Sequence, residues 1–104
     1  MAVMIHVLAF IRVKSGSLDA FVKIFKANVP NVLAEEECME YTPAIDVPAG
    51  IPVQNFEPDL VTVIEKWQSV EALRAHLAAP HMLAYKEAVR DLILSVEVKI
   101  LQEA

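Results

Sequence analysis

MIHVLAFIRV, residues Met4 to Val13, puts apolar side chains on both alternating faces of a β-strand, with Ile5, Val7, Ala9 and Ile11 on one and Met4, Leu8 and Phe10 on the other. Both faces of such a strand must be covered. Downstream, the turn Lys14-Ser15-Gly16 leads to Ser17, which can cap a helix whose apolar positions Leu18, Phe21, Ile24, Phe25 and Val29 follow helical spacing. Pro30 is expected to kink that helix or to start a short second one reaching about Glu36, with Glu35, Glu36 and Glu37 as a solvated face. A second strand is expected over Cys38 to Asp46, with Met39 and Tyr41 on one face. Pro43 cannot donate to a strand ladder and so places it at a sheet edge or bulge. Val47 to Pro58 is a proline-stiffened connection that still carries Ile51, Val53 and Phe56. A third strand over Asp59 to Trp67, a helix over Val70 to Ala78, a further helix from Pro80 to about Leu94 and a last strand over Ser95 to Leu101 complete the pattern.

The order βαββαβ predicts an α+β, ferredoxin-like sandwich with an antiparallel sheet and its helices on one face. Helices on one face cannot cover the second apolar face of the first strand. The economical solution is a second copy packed sheet to sheet, so a homodimer with a barrel-like shared core is expected.

A chain of 104 residues makes one domain, residues 1–104, and buries roughly 65% of its unfolded surface. Its apolar fraction of 56% is high for that size, and the surplus points to an interface. The net charge of −5, with nine basic residues scattered along the chain, lacks the basic stripe that holds phosphate backbones, so nucleic acid is not an expected partner. The apolar start has no basic leading region or cleavage site of a signal peptide, and no segment approaches the ~18 apolar residues of a membrane helix. A soluble, cytoplasmic protein without a membrane partner is expected. The single cysteine, Cys38, excludes a disulfide framework and reads as a small packing residue rather than a reactive thiol.

The stretch VTVIEKWQSVEALRAHLAAPHM, Val61 to Met82, carries the chemistry. On an alternating strand Val61, Val63, Glu65 and Trp67 share a face, mixing two apolar side chains with a carboxylate and an indole. Ser69 is a natural N-cap for the helix that follows, with Glu71 in its first turn and His76 near its end. That mixture suits a small pocket better than a plain core. His6, His76 and His81 have no tight metal-ligand spacing, and no glycine-rich phosphate loop or cysteine pair is present.

EKWQSVEALRAHLAAPHM at Glu65 to Met82, together with ECMEY at Glu37 to Tyr41, resembles the antibiotic biosynthesis monooxygenase family, within it the quinol-monooxygenase-like branch. Glu65, Trp67, Ser69, Leu73, His76, Pro80 and His81 stand at the expected relative places. The resemblance implies a dimeric α+β barrel and oxygenation of a small aromatic, quinol or polyphenol without a cofactor. A deprotonated phenol can reduce dioxygen itself, so the protein has to supply a base, a dry pocket and an orientation. Haem-degrading relatives carry an asparagine, a tryptophan and a haem-ligating histidine where this chain has Ala9, His76 and Lys86, so the resemblance does not extend to haem. The Asp46 to Pro58 stretch is also longer than the tight hairpin of the quinol branch.

His76 is the candidate general base, since a near-neutral pKa lets it accept a phenolic proton. A helix-end histidine favoured by the helix dipole is its plainer reading. Trp67 is expected to wall the pocket, His81 to line it, and Tyr85, one turn beyond His81, to share in orienting a hydroxyl. Glu65 is a second base candidate if buried, although a salt bridge to a lysine or arginine is its simpler role. Met82 and Phe56 are expected in the core, and Arg12 is a solitary cation at a strand end. Two other functions stay open: isomerisation or other proton transfer on a small carbonyl metabolite, and non-catalytic sequestration of an aromatic ligand by a stress-response dimer.

Overall fold

The computed structural model describes residues 3–104. Its elements run β1 (Ile5–Val13), α1 (Leu18–Leu33), β2 (Cys38–Ile45), β3 (Leu60–Trp67), α2 (Val70–Leu77), α3 (Pro80–Val89), a 3-10 turn (Arg90–Leu92) and β4 (Ile93–Leu101). The four strands form one antiparallel sheet in the order β2-β3-β1-β4. The molecule is an α+β fold of two layers, and Pro43 lies on an edge strand where its missing N–H leaves no ladder bond unmade.

One face of β1 meets the helices. Ile5, Val7, Ala9, Ile11 and Val13 are all buried there, with Val61 and Val63 of β3 and Phe21 and Phe25 of α1. On the opposite face Leu8 and Phe10 are half-buried and Ile64 is exposed, so no layer of the described residues covers it.

Several boundaries differ from expectation for local reasons. Helix α1 continues through Pro30 and ends at Leu33. Proline removes only the bond to the Lys26 carbonyl, and both residues face solvent, where water replaces it. Ser17 makes no side-chain cap bond, whereas Ser69 accepts from Ala72 N–H at 3.1 Å. Helix α3 stops at Val89, because the chain turns there and the Leu92 carbonyl receives Lys14 N–H at 2.9 Å, which lays β4 beside β1. Met39 and Tyr41 do not share a face. Cys38 pairs with Trp67 and Glu40 with Lys66, so Met39 is the extra residue of a β-bulge; it is exposed while Tyr41 is buried.

The connection between β2 and β3 is held from both ends. Glu57 N–H donates to Asp46 Oδ2, the Gln54 side chain bonds to both Val47 and Ala49, and Arg12 grips Glu57 through two bonds of 3.0 and 3.1 Å. Arg12 is thus a brace rather than a solitary cation. Phe56, expected in the core, is exposed along with Val47, Ile51 and Val53. Among the described residues, no helix is long and apolar enough to cross a membrane.

Candidate active site

A cavity of about 340 Å³ opens between the sheet and the helices. Its floor is Val7, Ala9 and Ile11 of β1 with Val63 and Glu65 of β3, and its roof comes from α2 and α3. The open side is the row Val96, Val98 and Ile100 of β4, each more than half exposed because no helix reaches the edge strand. An engineered apolar cavity of roughly 150 Å³ holds a benzene ring, so this one takes about two fused rings.

Polar groups interrupt the apolar lining: His76 from above, Glu65 from below, Tyr41 and Tyr85 from the sides and Lys86 at the rim. His76 sits in the last turn of α2 on the face it shares with Ala72 and Leu73, and only 1% of it is exposed. Its Nδ1 lies 2.8 Å from Glu35 Oε2. A carboxylate oxygen accepts, so Nδ1 carries the hydrogen and Nε2 is the unprotonated nitrogen. Burial holds the imidazole below its ordinary pKa while Glu35 pulls the other way, and the ring is neutral at pH 7. A buried, neutral and oriented imidazole has the chemistry a general base needs.

Glu35 belongs to the run expected to be solvated, and its capture has a structural cause. It lies in the turn between α1 and β2, where Glu35 N–H bonds to the Val32 carbonyl and Cys38 N–H to the Glu35 carbonyl. Gln68 N–H donates to the Glu37 carbonyl at 3.1 Å, which ties that turn to the start of α2 and swings Glu35 under His76. Nothing local in the sequence marks this contact, and Glu36 and Glu37 do remain exposed.

His81 does not line the cavity. Asn28 Oδ1 accepts from the Asn31 amide, so the Asn28 amide nitrogen faces His81 Nδ1 at 3.2 Å and Met82 Sδ at 3.4 Å. Nε2 of His81 therefore carries its hydrogen, 3.3 Å from the Glu35 oxygen already bound to His76 but too far off line to bond to it. His81 flanks the Glu35–His76 pair from outside.

Trp67 also stands behind the cavity wall rather than in it. Its ring packs 4.6 Å from that of His76 and its Nε1–H donates to Glu65 Oε1 at 3.0 Å, so it holds both polar groups in place. Glu65, 7% exposed, has that indole as its hydrogen-bond partner and no lysine or arginine among the described residues. The salt bridge expected from its sequence setting is absent there. Burial pushes its carboxyl up to about 7, opposed by the indole hydrogen bond and assisted by the charge of Glu35.

Tyr85 lines the cavity but turns to Phe21 and Phe25 in edge-to-face contacts of 6.3 and 5.5 Å, not to His81. Tyr41, which sequence reasoning left as a strand residue, stacks on Phe25 at 5.3 Å and meets His76 edge-on at 5.3 Å. Burial raises both phenols well above their ordinary range, so they stay protonated. Met82 is buried and forms part of the roof, and Lys86 stands at the rim. Cys38 is half-buried, and burial pushes its thiol up to about 11, the state of a packing residue.

Comparison with known proteins agrees with this architecture. The sequence profile of the family described as Antibiotic biosynthesis monooxygenase matches residues 4–88. The probable quinol monooxygenase YgiN of Escherichia coli K12 is 44% identical over 105 aligned residues, covering 95% of this chain and 97% of that protein. Among solved structures, a conserved protein from Methanosarcina mazei superposes with a TM-score of 0.83 at 21% identity, covering 99% of this chain and 95% of that one. A protein from Pseudomonas aeruginosa gives 0.83 at 23% identity, with 100% and 97% covered. Both likenesses are of fold.

Proposed function

The chain belongs to the antibiotic biosynthesis monooxygenase family, and from that premise we propose that it is an enzyme that oxidises a small aromatic quinol or polyphenol with dioxygen, without metal or organic cofactor, as a homodimer. The observation that carries the reading is His76, held by Glu35, at a largely apolar cavity of two-ring size.

The bound phenol lies between sheet and helices with a hydroxyl at His76 Nε2. The imidazole takes the hydroxyl proton, and the bond from Nδ1 to Glu35 stabilises the imidazolium that results. The phenolate places electron density on its ring carbons, and one of them reduces dioxygen and forms a C–O bond. Loss of water then gives the quinone: hydroquinone plus O2 becomes hydroxyquinone plus H2O. The apolar lining excludes bulk water, which would otherwise solvate the phenolate and weaken it as a reductant. Glu65 and Tyr41 contact the ligand's polar edge, Tyr85 packs on its ring, and Trp67 keeps Glu65 and His76 aimed.

The second copy packs against the uncovered face of the sheet, where Leu8, Phe10 and Ile64 leave apolar surface bare. An oxygen electrode with a series of hydroquinones tests the enzyme. The wild type is expected to consume oxygen, and His76→Ala to lose on the order of 10²-fold in kcat, the usual worth of a positioned base. Normal turnover by His76→Ala would show that another group is the base.

A further inference from the structure

We propose that Glu65 is the general acid of this pocket, the group that gives a proton to the oxygen leaving as water. The inference rests on the quinol-oxidising reading above and assigns a step that His76 alone cannot perform.

Once dioxygen has added to the ring, the adduct is a carbon bearing one hydrogen and one peroxide. His76 returns to the peroxide the proton it took from the phenol, making a hydroperoxide, and is neutral again. In the collapse to the quinone, the ring C–H gives its proton to His76 and the C–H electron pair becomes the second bond of C=O. The O–O bond breaks, and the outer oxygen departs with its electron pair. That departing hydroxide needs a proton in the same step in which His76 is accepting one. A second group, already protonated, must supply it. Transfer of the proton from His76 to the Glu65 carboxylate through a water then restores both groups, and the sum is substrate plus O2 giving quinone plus water.

Glu65 has the required position and chemistry. It rises from β3 in the floor while His76 descends from α2 in the roof, and both line the same cavity, so one bound ring can meet a base and an acid together. One carboxyl oxygen is fixed by Trp67 Nε1–H at 3.0 Å, which leaves the other free to hold the acidic hydrogen. Its cross-strand neighbours on the same face are Val7 of β1 and Tyr41 of β2. The ionisable groups around it are Cys38 and Tyr41 from β2, His76 from α2, Tyr85 and Lys86 from α3, and Glu35 beyond His76. The phenols are held protonated by burial and are far weaker acids, and Lys86 is exposed at the rim. Burial moves the two partners in complementary directions, leaving His76 neutral and Glu65 protonated near neutrality, as an acid and a base working together require.

The test is Glu65→Gln, which keeps the size and the acceptor for Trp67 but has no proton to transfer. For the wild type, kcat with a hydroquinone is expected to fall above about pH 7 as Glu65 ionises. In Glu65→Gln this alkaline limb is expected to vanish and kcat to drop on the order of 10²-fold, with KM changed less than about threefold. Glu65→Asp, whose acid is merely drawn back, is expected to keep the alkaline limb at reduced kcat. An active wild type lacking the limb, or a Glu65→Gln variant that keeps it or turns over normally, overturns the assignment while leaving the quinol reading standing. A wild type that consumes no oxygen with any hydroquinone overturns both.

Discussion

Glu65 should cost the protein stability, and the cost should depend on pH in a way that a single substitution exposes. Its carboxyl titrates near 7 in the folded chain, raised by burial, against 4.5 for the free side chain. Between those values the folded state holds a proton that the unfolded state has released. Stability from this group is therefore greatest below pH 4.5, declines as pH rises through that window and stays low above 7. A tenfold difference in proton affinity between the two states corresponds to about 1.4 kcal/mol, so the full loss is about 3 kcal/mol, of which about 0.8 is incurred by pH 5. Glu65→Gln removes the ionisation but retains an acceptor for Trp67 Nε1–H. Urea unfolding of both proteins at pH 5 and pH 8, at one protomer concentration because pairing adds to apparent stability, gives the difference between them at each pH. That difference is expected to move in favour of the variant by about 2 to 3 kcal/mol from pH 5 to pH 8. Titrating groups not coupled to Glu65 cancel in the comparison, as does any fixed cost of an unsatisfied amide hydrogen. A difference that stays constant within about 0.5 kcal/mol would mean that Glu65 is solvated or paired in the native state, and the account of its burial would be wrong.

Two further perturbations test the supports of the site. Glu35→Gln keeps an acceptor for His76 Nδ1 but removes the charge that raises the imidazole, so the acid limb of the activity profile is expected to move to lower pH; Glu35→Ala leaves the Nδ1–H unpartnered and is expected to cost about 1 to 3 kcal/mol in urea unfolding. Ile64→Asp places a carboxylate in the middle of the uncovered sheet face, and sedimentation is expected to show dimers of the parent and monomers of the variant; an unchanged dimer would put the interface elsewhere.

The fold was legible because its decisive signals are periodic. Alternation in β1, the apolar stripe of α1, the Ser69 cap and the position of Pro80 each act over a few residues and each agree with the final topology. The misreadings came where long-range geometry overrode a local rule. One inserted residue at Met39 inverts the facing of everything before it on β2, and no side-chain pattern announces a bulge. Pro30 does not break α1 because its missing bond falls on the wet side, a matter of which face packs and not of helix propensity. Phe56 looks like core by composition but sits exposed on a connection held by polar bonds.

The candidate site divides the same way. His76, Trp67 and Glu65 were visible because a carboxylate, an indole and an imidazole on one strand-helix unit are costly to bury without purpose. Glu35 was invisible because its role is set by a backbone bond between Gln68 and Glu37, two residues with no chemistry of their own in the site. Trp67 and His81, expected at the cavity, stand one layer behind it: Trp67 donates to Glu65, and His81 flanks the Glu35–His76 pair. Sequence periodicity can say which side of an element a residue occupies, but depth along that side depends on what the opposing layer inserts between. Here α2 inserts His76 itself, and the ring that shields Trp67 from the cavity is the one that Trp67 packs against.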